Sequence, residues 1–150
     1  MRLTKKRLAV IILLVVSSLI LAACGGGSDS GSAPANAANL PDWVRDAPPR
    51  VREAYQYAAA HPDELRKYPC YCGCGAMGHT SNLSCYIQDI APDGTMTFDT
   101  HANGCGLCVD ITQDVMRLKA EGQSSLQVRN YIDAQYSSFG PGTNTPLPTD

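Results

Sequence analysis

The chain has 150 residues, of which 12 are basic and 14 acidic, so its formal net charge is −2 at pH 7. From Cys24 onward it carries 8 basic and 14 acidic residues, a net charge of −6, whereas binding to nucleic acid or to anionic lipid asks for a basic surface. The length allows one small domain, and the acidic balance argues against a nucleic-acid-binding protein.

The N-terminus has the pattern of a secretion signal. Residues 1–7 carry four basic side chains and residues 8–22 are apolar or small, which is the order found in signal peptides. The apolar run is shorter than the roughly 20 residues of a membrane span. Leu21-Ala22-Ala23-Cys24 resembles the lipobox of bacterial lipoproteins, which implies cleavage before Cys24 and a diacylglycerol on its sulfur. We therefore expect a signal peptide over 1–23 and a lipid anchor in the extracytoplasmic face of the cell membrane.

Composition then divides the rest of the chain into three parts. Residues 24–40 are mostly Gly, Ser, Ala and Asn, which predicts a flexible tether. Residues 140–150 are rich in Pro, Gly and Thr, which predicts a disordered tail. The folded domain is therefore expected over 41–139. A core of that size benefits from additional cross-links, such as disulfides or a bound metal.

Three helices are predicted in this domain. Pro48 and Pro49 precede VREAYQYAAA, and proline suits the first helical turn; Pro62 ends this helix, and a short turn is expected over 63–65. The second helix runs from about Cys105 to Glu121, with apolar residues at spacings of three and four and Gly122 as its stop. The third begins after Ser124 or Ser125, either of which can cap it. The short EGQSS connection predicts that the last two helices form an antiparallel hairpin.

The segment between the first helix and this hairpin is rich in Gly and Cys. A weak strand pattern over 85–98 surrounds Pro92-Asp93-Gly94, which predicts a β-hairpin. The expected fold is therefore a small, mainly α single domain, in which an N-terminal helix and a helical hairpin surround a cysteine-rich loop.

Six cysteines remain once Cys24 is assigned to lipid, and they form two clusters. The first is Cys70-x-Cys72-x-Cys74 with Cys85, and the second is Cys105-x-x-Cys108. Disulfides persist outside the cytoplasm, and six cysteines allow 15 full pairings. However, Cα atoms at i and i+2 of an extended segment lie about 6.6 Å apart, which is near the upper limit for a bridge. Each member of the first run would need a distant partner.

A metal site is the alternative explanation of the same cysteines. Gly73 allows the loop to curl, so that Cys72 and Cys74 can face a common centre. Cys105 and Cys108 begin a helix, where free N–H groups favour thiolate. His79 lies within the first cluster and His101 four residues before Cys105, so both are candidate ligands. Six thiolates and two imidazoles exceed one zinc site; they suit two zinc ions, or a cluster of a thiophilic ion such as Cu(I).

The sequence gives no sign of an enzyme. Cys105-Gly106-Leu107-Cys108 resembles the motif of thiol–disulfide enzymes, but the βαβ pattern that a thioredoxin-like fold needs does not precede it. No haem-attachment pattern, phosphate-binding loop or nucleophile elbow is present. We therefore expect a protein without catalytic residues.

PCYCGC over 69–74 resembles the signature of the bacterial PCYCGC-motif lipoproteins. The similarity continues through Gly78-His79, Ser81-Asn82 and Cys85, and resumes at His101, Cys105, Cys108 and RNYID over 129–133. It extends over about 63–136 and leaves out the N-terminal helix and the tail. It implies a cell-envelope lipoprotein whose cysteines bind a metal, copper foremost.

Two functions remain open from the sequence. In the first, the six cysteines, with or without His79 and His101, bind Cu(I) for sequestration or for delivery to a metalloprotein of the envelope. In the second, zinc or disulfides only staple a structural or interaction domain.

Overall fold

The computed structural model describes residues 39–150. The predicted signal peptide over 1–23, the lipidation site at Cys24 and nearly all of the predicted tether lie outside this range. Within it the fold is mainly α with one two-stranded sheet, as predicted. None of the helices in residues 39–150 combines the length and the apolar character that crossing a membrane requires.

The N-terminal part of the domain consists of three helices. Their bounds are α1 Asp42–Arg45, α2 Pro49–Ala60 and α3 Pro62–Leu65. Pro49 occupies the first turn of α2, where the N–H that proline lacks would have no partner within the helix. Tyr55 and Ala58 lie on the buried face of α2, so the predicted first helix and the short turn after Pro62 are both confirmed.

The central segment contains two short 3₁₀ helices followed by a β-hairpin. The 3₁₀ helices are Cys74–Met77 and Asn82–Cys85, and the antiparallel strands are β1 Ile87–Ile90 and β2 Met96–Phe98. Ile87 pairs with Phe98 and Ile90 with Met96, with an irregularity between them. Gly94 lies in the connecting turn at φ +85°, a conformation that glycine adopts without strain. The predicted hairpin is therefore confirmed.

The C-terminal part contains the predicted helical hairpin. A short helix, α4 His101–Gly104, leads into α5 Gly106–Ala120 and α6 Ser125–Tyr136, and α5 and α6 pack against each other. Ser124 caps α6 because its side chain accepts from the Gln127 N–H while the Gln127 side chain accepts from the Ser124 N–H. This reciprocal pair satisfies two donors that the helix start leaves free.

The core connects these parts through buried tyrosines. Tyr55 of α2, Tyr68 and Tyr86 are each fully buried, and the rings of Tyr55 and Tyr86 meet edge to face with centroids 4.9 Å apart. The Tyr55 hydroxyl donates to the Asp99 carbonyl at 2.7 Å. The tyrosines therefore pack the domain around the cysteine loop, and each buried hydroxyl finds a partner.

The prediction of a disordered tail over 140–150 is wrong. The segment has no helix or strand after Phe139, but the side chains of Thr143 and Thr145 are buried. Thr143 N–H donates to the Cys70 carbonyl at 2.9 Å, and Cys70 N–H donates to Thr143 Oγ1 at 3.0 Å. The tail is held because its polar groups find partners on the cysteine loop, which composition alone does not reveal.

Candidate metal centre

The curled loop that the sequence predicts is present at Gly73. This residue has φ +83°, in the left-handed region that favours glycine. The turn places Cys74 at the start of the first 3₁₀ helix, and Cys85 ends the second one. Three cysteines from one loop and a fourth from the next turn can therefore face the same space.

Cys105 and Cys108 lie at the start of α5, as predicted. Cys105 occupies the N-cap position, while Cys108 lies in the first turn and is fully buried. His101 begins the preceding helix α4, and its backbone N–H donates to Asp99 Oδ1 at 2.7 Å. The α4–α5 junction thus directs these three side chains toward the PCYCGC loop.

The structure brings the six cysteines and His101 together in two overlapping groups. The inner group is Cys70, Cys72, Cys74 and Cys85; the outer group is Cys72, His101, Cys105 and Cys108. Within each group all ligand atoms lie within 4.8 Å of one another. All six cysteines are free thiols.

Sulfur-to-sulfur distances in the centre match the size of a metal site. They are 3.8 Å between Cys74 and Cys85, and 3.3 Å between Cys70 and Cys72. A tetrahedral site with metal–sulfur bonds of about 2.3 Å places its sulfurs about 3.8 Å apart. Small side-chain shifts would therefore adapt these thiols to an ion, and either group could hold a metal.

Three sulfur atoms form a triangle where the two groups meet. Cys70 and Cys72 of the inner group lie 3.4 Å and 3.6 Å from Cys108 of the outer group. His101 Nε2 approaches the triangle from the outer side, 3.3 Å from Cys72 Sγ. The two predicted cysteine clusters are thus one continuous centre.

His79 lies beside the centre and belongs to neither group. Its Nδ1 is 3.6 Å from Cys85 Sγ, and its Nε2 is 4.0 Å from Asp99 Oδ2. Its ring meets that of His101 edge to face at 5.2 Å. Of the two candidate histidines, the structure therefore places His101 among the ligand atoms and His79 against one ligand thiol.

Hydrogen bonds between the thiols shift their pKa values in opposite directions. Hydrogen bonds from Cys108 and Cys85 hold the pKa of Cys70 well below its usual range. Hydrogen bonding to Cys70 raises the pKa of Cys108, and hydrogen bonding to Cys108 and Cys70 raises that of Cys85. Burial raises the pKa of Cys72. A raised pKa favours the protonated thiol, and a bound ion would replace such a proton.

A chain of buried hydrogen bonds ends at the backbone carbonyl of Cys108. Asn82 Nδ2 donates to Thr112 Oγ1 at 2.7 Å, Thr112 Oγ1 donates to the Tyr86 hydroxyl at 2.7 Å, and that hydroxyl donates to the Cys108 carbonyl at 2.9 Å. Asn82 Oδ1 is buried without a hydrogen-bond partner in residues 39–150. Sequence reasoning did not identify Thr112, because its position in a helical pattern gives no sign of a polar partner.

RNYID over 129–133 supports the loop from the other side. The Tyr71 hydroxyl donates to Asp133 Oδ1 at 2.7 Å, and Arg129 Nε donates to the same carboxylate. Arg129 Nη1 also donates to the carbonyls of Thr145 and Pro146 at 3.0 Å and 3.1 Å. Two side chains of α6 thereby join the PCYCGC loop to the C-terminal tail.

Residues 13–148 match a family described as "Protein of unknown function with PCYCGC motif". The chain belongs to this PCYCGC-motif family. The match includes α2 and most of the tail. Our expectation that the similarity extends only over about residues 63–136 was therefore too narrow. Comparison with curated proteins and with solved structures gives no match.

Proposed function

We propose that this PCYCGC-motif protein is a cell-envelope lipoprotein that binds a soft metal ion, Cu(I) foremost, through its six cysteines. The observation that carries the proposal is the gathering of six sulfurs and the His101 imidazole in one continuous centre. Such a donor set favours thiophilic ions, while hard cations such as Mg²⁺ and Ca²⁺ prefer oxygen ligands. Sequestration of the ion, or its delivery to an envelope metalloprotein, is the role that follows.

Partial exposure of the outer group supports a cargo role for the ion. Cys72, His101 and Cys105 are half-buried, whereas Cys108 is fully buried. Structural zinc sites are closed by four protein ligands, but an ion that is handed to a partner must be reachable by the partner's ligands. The outer group meets that requirement.

The location in the envelope is supported by the sequence before the domain. A basic segment, an apolar segment and the lipobox-like Leu21–Cys24 together favour export and attachment of a diacylglycerol. The lipid would keep the metal centre close to the membrane, where an acceptor metalloprotein could receive the ion.

A structural zinc site is the second candidate function. The inner group consists of four cysteines, and Cys70, Cys74 and Cys85 are at most 1% exposed. Four thiolates in a closed space are the usual ligands of structural zinc. In that case zinc would chiefly stabilise the fold, and copper would have no special affinity.

A competition titration separates these two functions. The full chain, purified in detergent and reduced under anaerobic conditions, is titrated with Cu(I) in the presence of a Cu(I) chelator. We expect it to withdraw copper from the chelator. The control keeps Cys24 and replaces the six domain cysteines by serine, and it should leave the chelator loaded. Equal behaviour of both proteins would refute copper binding, and retention of zinc with a large gain in melting temperature would support the structural site.

A further inference from the structure

We propose that the centre holds two soft metal ions that share the thiolate of Cys72. This inference rests on the proposed function and specifies how many ions bind and where. Cys72 is the one residue that belongs to both the inner and the outer group among the described residues. Each group supplies four donor atoms, which is the full complement of a tetrahedral site.

The triangle of Cys70, Cys72 and Cys108 gives this sharing a physical basis. Its sulfurs lie 3.3 to 3.6 Å apart, so ions in the two groups would be neighbours separated by sulfur. A bridging thiolate places negative charge between two cations, which offsets their repulsion. This matters because a charge that is buried without a partner is strongly unfavourable.

The two sites differ in access to solvent. The inner group apart from Cys72 is buried, with Cys70, Cys74 and Cys85 between 0% and 1% exposed. The outer group contains half-buried Cys105 and His101. An ion in the outer group can therefore be reached by ligands of another molecule, whereas an inner ion is retained. Cys72 connects the two sites.

Single cysteine variants test the sharing directly. The full chain is loaded with Cu(I) under anaerobic conditions, and the number of bound ions is read by native mass spectrometry. We expect two ions in the unaltered protein. Cys74→Ser removes a ligand of the inner group alone and Cys105→Ser a ligand of the outer group alone, so each should retain one ion. Cys72→Ser removes a ligand from both groups, so it should lower the affinity for both ions.

A Cys72→Ser variant that loses one ion and binds the other with unaltered affinity, as Cys105→Ser does, would overturn the sharing. Loading of the unaltered protein with one ion, or with more than two, would also overturn the sharing, although copper binding itself would stand. Copper binding by the unaltered protein that is no greater than that of the six-serine control would instead refute the proposed function. Far-ultraviolet circular dichroism confirms that each variant keeps its helices.

Two measurements on the unaltered protein do not depend on any variant. X-ray absorption of the loaded protein should show a copper–copper vector in addition to copper–sulfur bonds, and its absence would contradict a shared thiolate. A soluble Cu(I) chelator should remove one ion in a fast phase and the second in a slow phase. Release of both ions in one phase would contradict the difference in access.

Discussion

At the scale of single residues, the carbonyl of Cys108 links the candidate metal centre to the core. It accepts hydrogen bonds from the Tyr86 hydroxyl at 2.9 Å and from Asn82 Nδ2 at 3.4 Å. Thr112 connects these two donors. Because hydrogen-bond partners of metal ligands orient them, these contacts would affect metal affinity as well as stability if Cys108 binds an ion.

Replacement of Thr112 by valine should destabilise the protein. The change keeps the shape of the side chain but removes the acceptor of the short Asn82 Nδ2 hydrogen bond and the donor to the Tyr86 hydroxyl, and lost buried hydrogen bonds typically cost about 1–3 kcal/mol. Urea unfolding of the metal-free protein measures this loss. Thr97→Val on the exposed side of β2 is the matched control and should change the unfolding free energy by less than about 0.5 kcal/mol. Equal effects of both changes would contradict a role for the buried chain.

At the scale of elements, the C-terminal tail is a hydrogen-bonding partner of the PCYCGC loop. Thr143 makes two hydrogen bonds with the backbone of Cys70, and Thr145 Oγ1 donates to the Thr80 carbonyl at 2.7 Å. These contacts fix the loop segment that carries Cys70, the first candidate ligand.

Replacement of Thr143 by valine should deprive the Cys70 amide of its hydrogen-bond acceptor. The variant removes the oxygen that accepts from Cys70 N–H, so amide hydrogen exchange at Cys70 should accelerate. Hydrogen exchange followed by mass spectrometry or nuclear magnetic resonance measures the rate. Thr149→Val, at an exposed position of the same tail, should leave the rate unchanged. Unaltered exchange in Thr143→Val would show that the tail does not hold the loop.

Glu64 of α3 joins this helix to α5 and α6. Its carboxylate lies 3.1 Å from Lys67 Nζ and 3.3 Å from Lys119 Nζ, and it accepts from Ser125 Oγ at 3.2 Å. Burial opposes ionisation of Glu64, but hydrogen bonds from Tyr68, Lys67 and Lys119 outweigh it and lower its pKa below the ordinary value of 4.5. The ionised carboxylate is therefore favoured in the folded state.

This shift predicts a pH dependence of stability. A lowered pKa in the folded state contributes stability above the unfolded pKa of about 4.5, and the contribution is lost as pH falls through the folded pKa. Glu64→Gln should therefore lower the unfolding free energy at pH 7 and flatten its decline in acid. Urea unfolding between pH 7 and pH 3 measures both effects, with Glu53→Gln at an exposed site of α2 as the control. If the unfolding free energies of Glu64→Gln and of the unaltered protein fall in parallel as pH decreases, ionised Glu64 does not stabilise the folded state.

At the scale of the whole molecule, the sequence predicts the helices better than the arrangement of the site. Pro49, Gly122 and the Ser124 cap are local signals, and the helices begin and end beside them. Residue type alone indicated the cysteines as candidate ligands. Membership of Cys72 in both groups, the position of His79 outside them and the order of the tail depend on contacts between distant segments. Spacing and composition do not encode such contacts, so these features emerged only from the structure.

We propose that the six domain cysteines bind copper as thiolates. Elemental analysis combined with a free-thiol count tests it most directly, on the full chain purified anaerobically from copper-supplemented cells. We predict bound copper, no disulfide, and six thiols that become reactive toward a thiol reagent once the copper is removed. A protein with no metal and no free domain thiol would contradict the claim and identify the cysteines as disulfide staples.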